Sequence, residues 1–348
     1  MKITHPIDFV IPWVDGNDPA WQAERAKYSD DSGDSRIVRF RDWGLLPYWF
    51  RGVEKFAPWV NKVHFITWGH VPKWLNIEHP KLHIVNHKDY IPEKYLPTFS
   101  ANPIELNIHR IDGLAEHFVY FNDDIFLTKP VKETDFFRNS LPCDTAVLGP
   151  ANLFLPDNGI PLPENVFSMG FNDIMVINHR FNKKEVLKKY WYKFFSPKYG
   201  KTGISSFLQL PYRQIYGFYV HHLPSAFRKS MLGLVWQENP EIMDHTCQNK
   251  FRKFTDVNQW LVQYYQFCTG NFVPVSPGRG KCFDIFKEGM EAFRAIKKQK
   301  YKMICCNDSA DADFELASKQ LHDAFSSILP DKCSFEITDK TDKNGQNG

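Results

Sequence analysis

The chain has 348 residues, 43% of them hydrophobic and 24% charged, with a formal net charge of +3. This is the balance of an ordinary globular protein, large enough for one big α/β unit or two modest ones, and it excludes fibrous and disordered classes. The small net charge excludes a uniform nucleic-acid-binding surface while leaving room for a local phosphate pocket, so no nucleic-acid partner is expected. No run of 18 apolar residues occurs and the first residues carry no long apolar region, so neither a transmembrane segment nor a signal peptide is expected. Seven cysteines without a CxxC pair argue against a disulfide framework and a structural zinc site. A reducing compartment fits them. The expected location is cytoplasmic, at most peripheral to the inner face of the cell membrane.

Ile7-Asp8-Phe9-Val10-Ile11 is a nearly continuous apolar run, the pattern of a buried strand. It ends in the dense turn signal Trp13-Val14-Asp15-Gly16-Asn17-Asp18-Pro19, and residues 28–35 form an acidic, Ser/Gly-rich loop. Trp43, Leu46, Phe50 and Val53 recur at helical spacing, with Pro47 near the helix start. Residues 63–68 and 82–85 predict two further strands. Asn102-Pro103 predicts another helix start, Asn capping the first amides and Ile104, Ile108, Ile111 and Ala115 marking one face. The next strand, 118–121, runs straight into Asn122-Asp123-Asp124.

Strands alternating with helices predict an α/β fold: a mostly parallel, Rossmann-like (GT-A-like) sheet flanked by helices. Ligands collect at the carboxyl ends of such strands, where Asp15 and Asp123-Asp124 both fall. Between 131 and 240, prolines and short apolar pieces such as 173–177 predict a loop-rich insertion at the rim of the site. Asp256 is expected to cap a helix carrying Trp260, Leu261, Tyr264 and Tyr265. Two more helices follow, one over 286–296 and one carrying Leu321, Phe325 and Ile328, with the apolar run 303–308 between them. The organisation expected is one catalytic domain over 1–337, in three parts (1–130, 131–240 and a helical 241–337), and a disordered tail over 338–348.

Asn122-Asp123-Asp124 carries the strongest chemical signal. Paired carboxylates after an apolar strand are costly in a core but natural as ligands of a hard divalent cation. The competing reading is a turn whose Asp caps the next element. Asp15 has the same two readings, metal or ribose ligand against turn-former, with Gly16 permitting the tight turn. His109, Arg110, Arg39 and Arg41 are each either phosphate contacts or surface residues. In His221-His222-Leu223-Pro224 one imidazole is suited to general-base work because its pKa lies near working pH. No HExxH, GxxxxGK[ST], helix-opening GxGxxG or GxSxG occurs, so zinc-protease, P-loop, dinucleotide and serine-hydrolase readings fail.

These segments together resemble the Stealth family. The run from Ile7-Asp8 to Pro19-Ala20-Trp21 is similar to its first region, an apolar strand followed by WVDGxDPxW. Its second region is resembled by Arg39-Phe40-Arg41-Asp42, Thr67-Trp68-Gly69-His70-Val71-Pro72-Lys73-Trp74, Leu96-Pro97-Thr98-Phe99-Ser100, Ile108-His109-Arg110-Ile111 and Tyr120-Phe121-Asn122-Asp123-Asp124. His222-Leu223-Pro224 with Arg228-Lys229-Ser230 resembles the third region, and Cys306-Asn307-Asp308 the fourth. Pro12, where members often carry Thr, and the extra Cys305 are departures.

The resemblance implies a hexose-1-phosphate transferase acting in capsular or exopolysaccharide synthesis. A nucleotide-sugar donor such as UDP-N-acetylhexosamine yields its sugar-1-phosphate to a hydroxyl of a saccharide acceptor, and UMP leaves. It implies Mg²⁺ or Mn²⁺ held by Asp123, Asp124 and Asp308, catalytic roles for His222 as general base and for Asp124, and phosphate clamps at Arg110 and Arg252. Asp15, Gly16, Arg39, Ser100, His109, Asn122 and Asn307 complete the expected binding set. The alternatives are a metal-dependent glycosyltransferase releasing UDP, and an inactive carbohydrate-binding module.

Overall fold

The structure is a computed structural model that describes residues 5–28, 41–150, 166–308 and 314–337. Arg39, most of the expected acidic loop and the expected tail lie outside the described residues. In chain order the strands are β1 (Ile7–Pro12), β2 (Val63–Thr67), β3 (Leu82–Asn86), β4 (His117–Tyr120), β5 (Ile125–Leu127) and β6 (Phe137–Arg138). They continue with β7 (Leu141–Asp144), β8 (Ser225–Arg228), β9 (Val273–Pro274), β10 (Gly280–Asp284) and β11 (Met303–Asn307). The central sheet has the order β3-β2-β1-β4-β8. Its first four strands run parallel and β8 runs antiparallel to β4.

β1 shows why the apolar run was needed. Alternate side chains of a strand point to opposite faces. Phe9 and Ile11 enter a core with Trp49, Phe50 and Val53 of the helix Leu46–Phe56. Val10 enters a second core with Phe118, Leu261 and Tyr264, beneath the helices Gln259–Cys268 and Lys229–Glu238. A strand covered on both sides has no polar face to display. A second sheet, β10-β11-β5, closes the first core with the helices Ile285–Lys297 and Phe314–Ser326.

Four details depart from the sequence reading. The helix near Asn102 spans only Ala101–Leu106, and its cap is Ser100, whose hydroxyl accepts from the Asn102 amide at 3.3 Å. It stops because the Asn107 side chain donates to the Pro103 carbonyl at 2.8 Å, competing with the helical ladder. Ile108–Arg110 then forms a single 3₁₀ turn. Asp256 is not a cap: it is buried, accepting from Asn102 at 2.9 Å and Asn249 at 2.6 Å, while Asn258 caps Gln259–Cys268.

The stretch 131–240 is not loop-rich either. It holds the helices Val166–Arg180, Lys183–Phe194 and Lys229–Glu238. The piece 173–177 lies mid-helix, with Ile174 and Ile177 buried and Met175 exposed. Lastly, the C-terminal part adds two strands, β10 and β11, to its helices.

At the amino end of β1, Asp8 is fully buried and ion-paired to His64 at 3.0 Å. It also accepts from Asn61 at 2.7 Å and from the Ala115 amide at 2.8 Å. Burial opposes its charge, yet His64, Asn61 and the amide together hold its pKa below the usual carboxylate value. A depressed carboxylate pKa stabilises the fold above the ordinary value and loses that contribution as pH falls through the folded one. Asp8→Ala should therefore cost about 3 kcal/mol in denaturant unfolding at pH 7, because it strands a buried imidazole and amide. The gap between wild type and variant should narrow below about pH 4.

Candidate active site

β1 and β4 are parallel and in register, Val10 facing Tyr120, so the turns that follow them emerge at one edge of the sheet. β8 runs the other way and pairs Ser225 with Tyr120, so the residues leading into it arrive at that same edge. Topology alone thus brings Asp15, Asn122-Asp123-Asp124 and His222 together. The acidic turn closes with the Ile125 amide donating to the Asn122 carbonyl at 3.1 Å. From there the chain passes into β5 of the second sheet, and the Cys306 amide clamps the Asp124 carbonyl at 2.8 Å. The acidic turn is the hinge between two sheets.

His222 Nε2 lies 3.0 Å from Asn122 Nδ2 and 3.4 Å from Asp124 Oδ2. Cys305 Sγ donates to the same carboxylate oxygen at 3.3 Å, and Cys282 Sγ, on the adjacent strand, donates to Cys305 Sγ at 3.1 Å. Ligand atoms of Asp124, His222 and Cys305 all lie within 4.8 Å of one another. The second oxygen of Asp124, Oδ1, is buried without a hydrogen-bond partner.

Burial opposes the imidazolium, but Asp124 outweighs it and raises the His222 pKa to about 9. Burial likewise opposes the Asp124 carboxylate, and the charge and hydrogen bond of His222 with the Cys305 thiol bring its pKa below the ordinary value. Asp123 goes the other way, raised to about 7 by desolvation and by the charges of Asp124 and Asp42. Its side chain is open to solvent, so repulsion between the carboxylates is the main cause.

The remaining expected residues separate into near and far. Asp15 takes the Asn17 amide at 2.9 Å, and its own amide donates to His70 Nε2 at 2.8 Å; the Gly16 carbonyl accepts from Gln22. Asp42 feels the charge of both Asp15 and Asp123. Asp308 is held by Arg41 in a pair with Oδ2 at 2.6 Å and by Trp43 Nε1 at 3.2 Å, beyond Asn307 at the end of β11. Arg252 lies within electrostatic reach of Glu105, as does His222.

Ser100 is fully buried and serves as a helix cap, which corrects its place in the binding set. Arg110 and His109 need a larger correction. They precede β4, beside Ile111, whose carbonyl accepts from Lys229 Nζ at the far end of β8. β4 and its approach, at roughly 3.3 Å per residue, separate them from the acidic turn. Arg110 instead stacks on Trp236 at 5.0 Å, and burial together with Arg110 pushes the His109 pKa down to about 4.

A cleft beside His222 is lined by Asn122, Asp144, His221, Trp260, Gln263 and Arg279. Burial pushes the His221 pKa down to about 4, so the two neighbouring histidines carry different charge at neutral pH. The sequence reading gave no role to Asp42, Cys282, Asp144, Gln263 or Arg279. Asp42 stood inside a quoted motif, and its carboxylate beside Arg41 was the available signal. The others come from distant segments, and nothing local marks them.

The pair makes a direct prediction in the metal-free protein. Imidazole NMR should find His222 protonated at pH 7 and titrating near 9, and Asp124→Asn should return it towards the ordinary histidine value of 6.5. Since the folded pKa is raised, its stabilisation is complete below that ordinary value and is lost as pH rises through about 9. A wild-type His222 titrating near or below 6.5 would contradict the pairing.

The model for Stealth conserved region 1 matches residues 5–33 and that for conserved region 2 matches residues 39–143. The chain is 40% identical over 341 residues to the capsular polysaccharide phosphotransferase WcwK of Streptococcus pneumoniae, covering 97% of this chain and 99% of that one. It is 42% identical to the receptor polysaccharide phosphotransferase WefC of Streptococcus oralis, covering 95% and 99%. With the exopolysaccharide phosphotransferase cps2G of Lactiplantibacillus plantarum it shares 42% identity, covering 95% and 96%. The chain belongs to the Stealth family of phosphotransferase enzymes.

Proposed function

We propose that the chain transfers a sugar-1-phosphate, N-acetylhexosamine-1-phosphate as the leading candidate, from a UDP-sugar to a saccharide hydroxyl, releasing UMP. The observation that carries this reading is the junction turn, where Asp123 and Asp124 meet His222 at the carboxyl edge of a parallel sheet. Named relatives act on capsular, receptor and exopolysaccharides, which supports a saccharide acceptor in polysaccharide synthesis. The work would be done in the cytoplasm, peripheral to the inner face of the membrane.

The residues fit a hard divalent cation, Mg²⁺ or Mn²⁺. An orphaned Asp124 oxygen and the raised pKa of Asp123 both mark carboxylates short of positive charge. Asp123 and Asp124 would hold the ion, with Asp42 near; Asp308, committed to Arg41, would act through that pair. When bound, the ion supplies charge neutralisation for the donor diphosphate.

In the ion-free site Asp124 keeps His222 protonated; with the cation on Asp124 the imidazole would give up that proton and stand as the general base towards the acceptor hydroxyl. Arg252, which like His222 lies within electrostatic reach of Glu105, would add positive charge. The acceptor oxygen forms its bond to the sugar-linked phosphorus, and the phosphoanhydride bond to the nucleoside phosphate breaks. Its electron pair leaves with UMP, and the hydroxyl proton passes to His222. The walls of Trp260 and Gln263 flank the place where a sugar ring would lie.

Incubation with UDP-N-acetylhexosamine and an acceptor oligosaccharide should yield UMP in equal amount to product, and excess EDTA should abolish turnover. UDP as by-product would instead assign glycosyl transfer, and binding without turnover a carbohydrate-binding module. Asp124→Asn should lower kcat by about 10² to 10³ while the circular dichroism stays native. Arg110→Ala, distant from the turn, should keep kcat within about threefold of wild type.

A further inference from the structure

Nine of the sixteen exposed large hydrophobic side chains among the described residues fall between Trp191 and Tyr219. Residues 183–219 also hold eight Lys or Arg and one acid, Glu185, a local charge of +7 (8 − 1) in a chain whose total is +3. We propose that this face, built on the helices Lys183–Phe194 and Ile204–Leu208, docks onto an anionic phospholipid bilayer. Aromatic and aliphatic side chains mixed with lysines are the chemistry of an interfacial surface, apolar groups entering the acyl boundary and cations meeting lipid phosphates.

The face is held in place. Lys183 Nζ donates to the Gln209 and Tyr212 carbonyls, and Lys193 Nζ to the Gly270 and Phe272 carbonyls at 2.6 and 2.7 Å. These two buried lysines are structural. The other six basic residues are exposed around Trp191, Phe207 and Leu208. Phe207 packs on Phe195 at 4.7 Å, and Ser206 Oγ accepts from the Leu148 amide at 2.9 Å.

Charge selects the occupant. A symmetric dimer through this face would set two +7 surfaces against each other and is disfavoured. A neutral saccharide would use the aromatic rings but gains nothing from Ile204, Leu208 and Leu210, each at least half exposed. The face also borders the candidate site: Tyr219 stacks on His221 at 5.5 Å, and His221 lines the cleft with His222. Docking would therefore hold the cleft beside the membrane surface. This consequence rests on the proposed transfer; the docking itself does not.

The test is co-sedimentation of the full chain with vesicles of phosphatidylcholine alone and of phosphatidylcholine with about 30% phosphatidylglycerol. Binding to the anionic vesicles, weak binding to the neutral ones and loss of binding at high salt are expected. Leu208→Glu, and separately the double variant Lys188→Ala with Lys189→Ala, should each weaken partition roughly tenfold or more. Circular dichroism and UMP release on a short soluble acceptor should stay unchanged in both. Absence of binding to anionic vesicles, or wild-type binding by both variants, overturns the proposal. So does a dimer in analytical ultracentrifugation that Leu208→Glu dissolves without any vesicle binding, which would give the face to a second copy. Vesicle binding by a chain that turns over no UDP-sugar would leave the docking standing and remove the proposed transfer.

Discussion

Negative charge concentrated where the chain crosses from one sheet to another is the constraint around which the structure is arranged. β4 ends in a buried aromatic and must turn sharply to reach β5, and the turn it uses places two carboxylates beside each other. Asp42 and Asp15 add to the crowd from neighbouring turns. Even at a partly solvated edge, carboxylates crowded in this way repel one another unless positive charge arrives. Without an ion, the chain supplies part of it as the His222 imidazolium, whose proton Asp124 retains. The rest is the role we assign to a divalent cation and to the phosphates it brings.

The supporting parts follow from that constraint. Arg41 and Trp43 occupy Asp308, which removes one further carboxylate from the cluster and ties the segment around residues 41–43 to the end of β11. The Cys306 amide fixes the Asp124 backbone, and His222 and the Cys305 thiol hold its carboxylate. Cys305 places a polarisable thiol rather than a charge against the Asp124 carboxylate, with the Cys282 thiol behind it. Each contact preorganises the turn without neutralising it.

The strands were legible because parallel strands covered on both faces must be nearly all apolar, and β1, β2 and β4 are so apart from buried polar residues such as Asp8, His64 and His117. The acidic turn was legible because it directly follows one of them. Arg110 misled for the converse reason: it precedes β4, so proximity in sequence places it at the wrong end of the sheet. Asn102 and Asp256 each looked like a cap, and they turn out to be partners of one another across 154 residues, a contact no local pattern encodes. The helix Val166–Arg180 was hidden because its inward face carries the fully buried Asp173, which takes the Asn258 amide and interrupts the apolar period. The charge of His222 was out of reach too, since residue type gives an ordinary imidazole and only the 3.4 Å approach of Asp124 changes it.

The central claim, that the junction turn is short of one cation, is tested most directly by calorimetric titration of Mg²⁺ into the protein at pH 7 in two buffers of different ionisation enthalpy. With Asp123 near half-protonated and His222 protonated, cation binding must expel protons, so the observed heat should differ between the buffers. The Asp123→Asn variant should bind more weakly and release fewer protons. Heat that is independent of the buffer, or an Asp123→Asn variant that binds Mg²⁺ as tightly as wild type, would contradict the account.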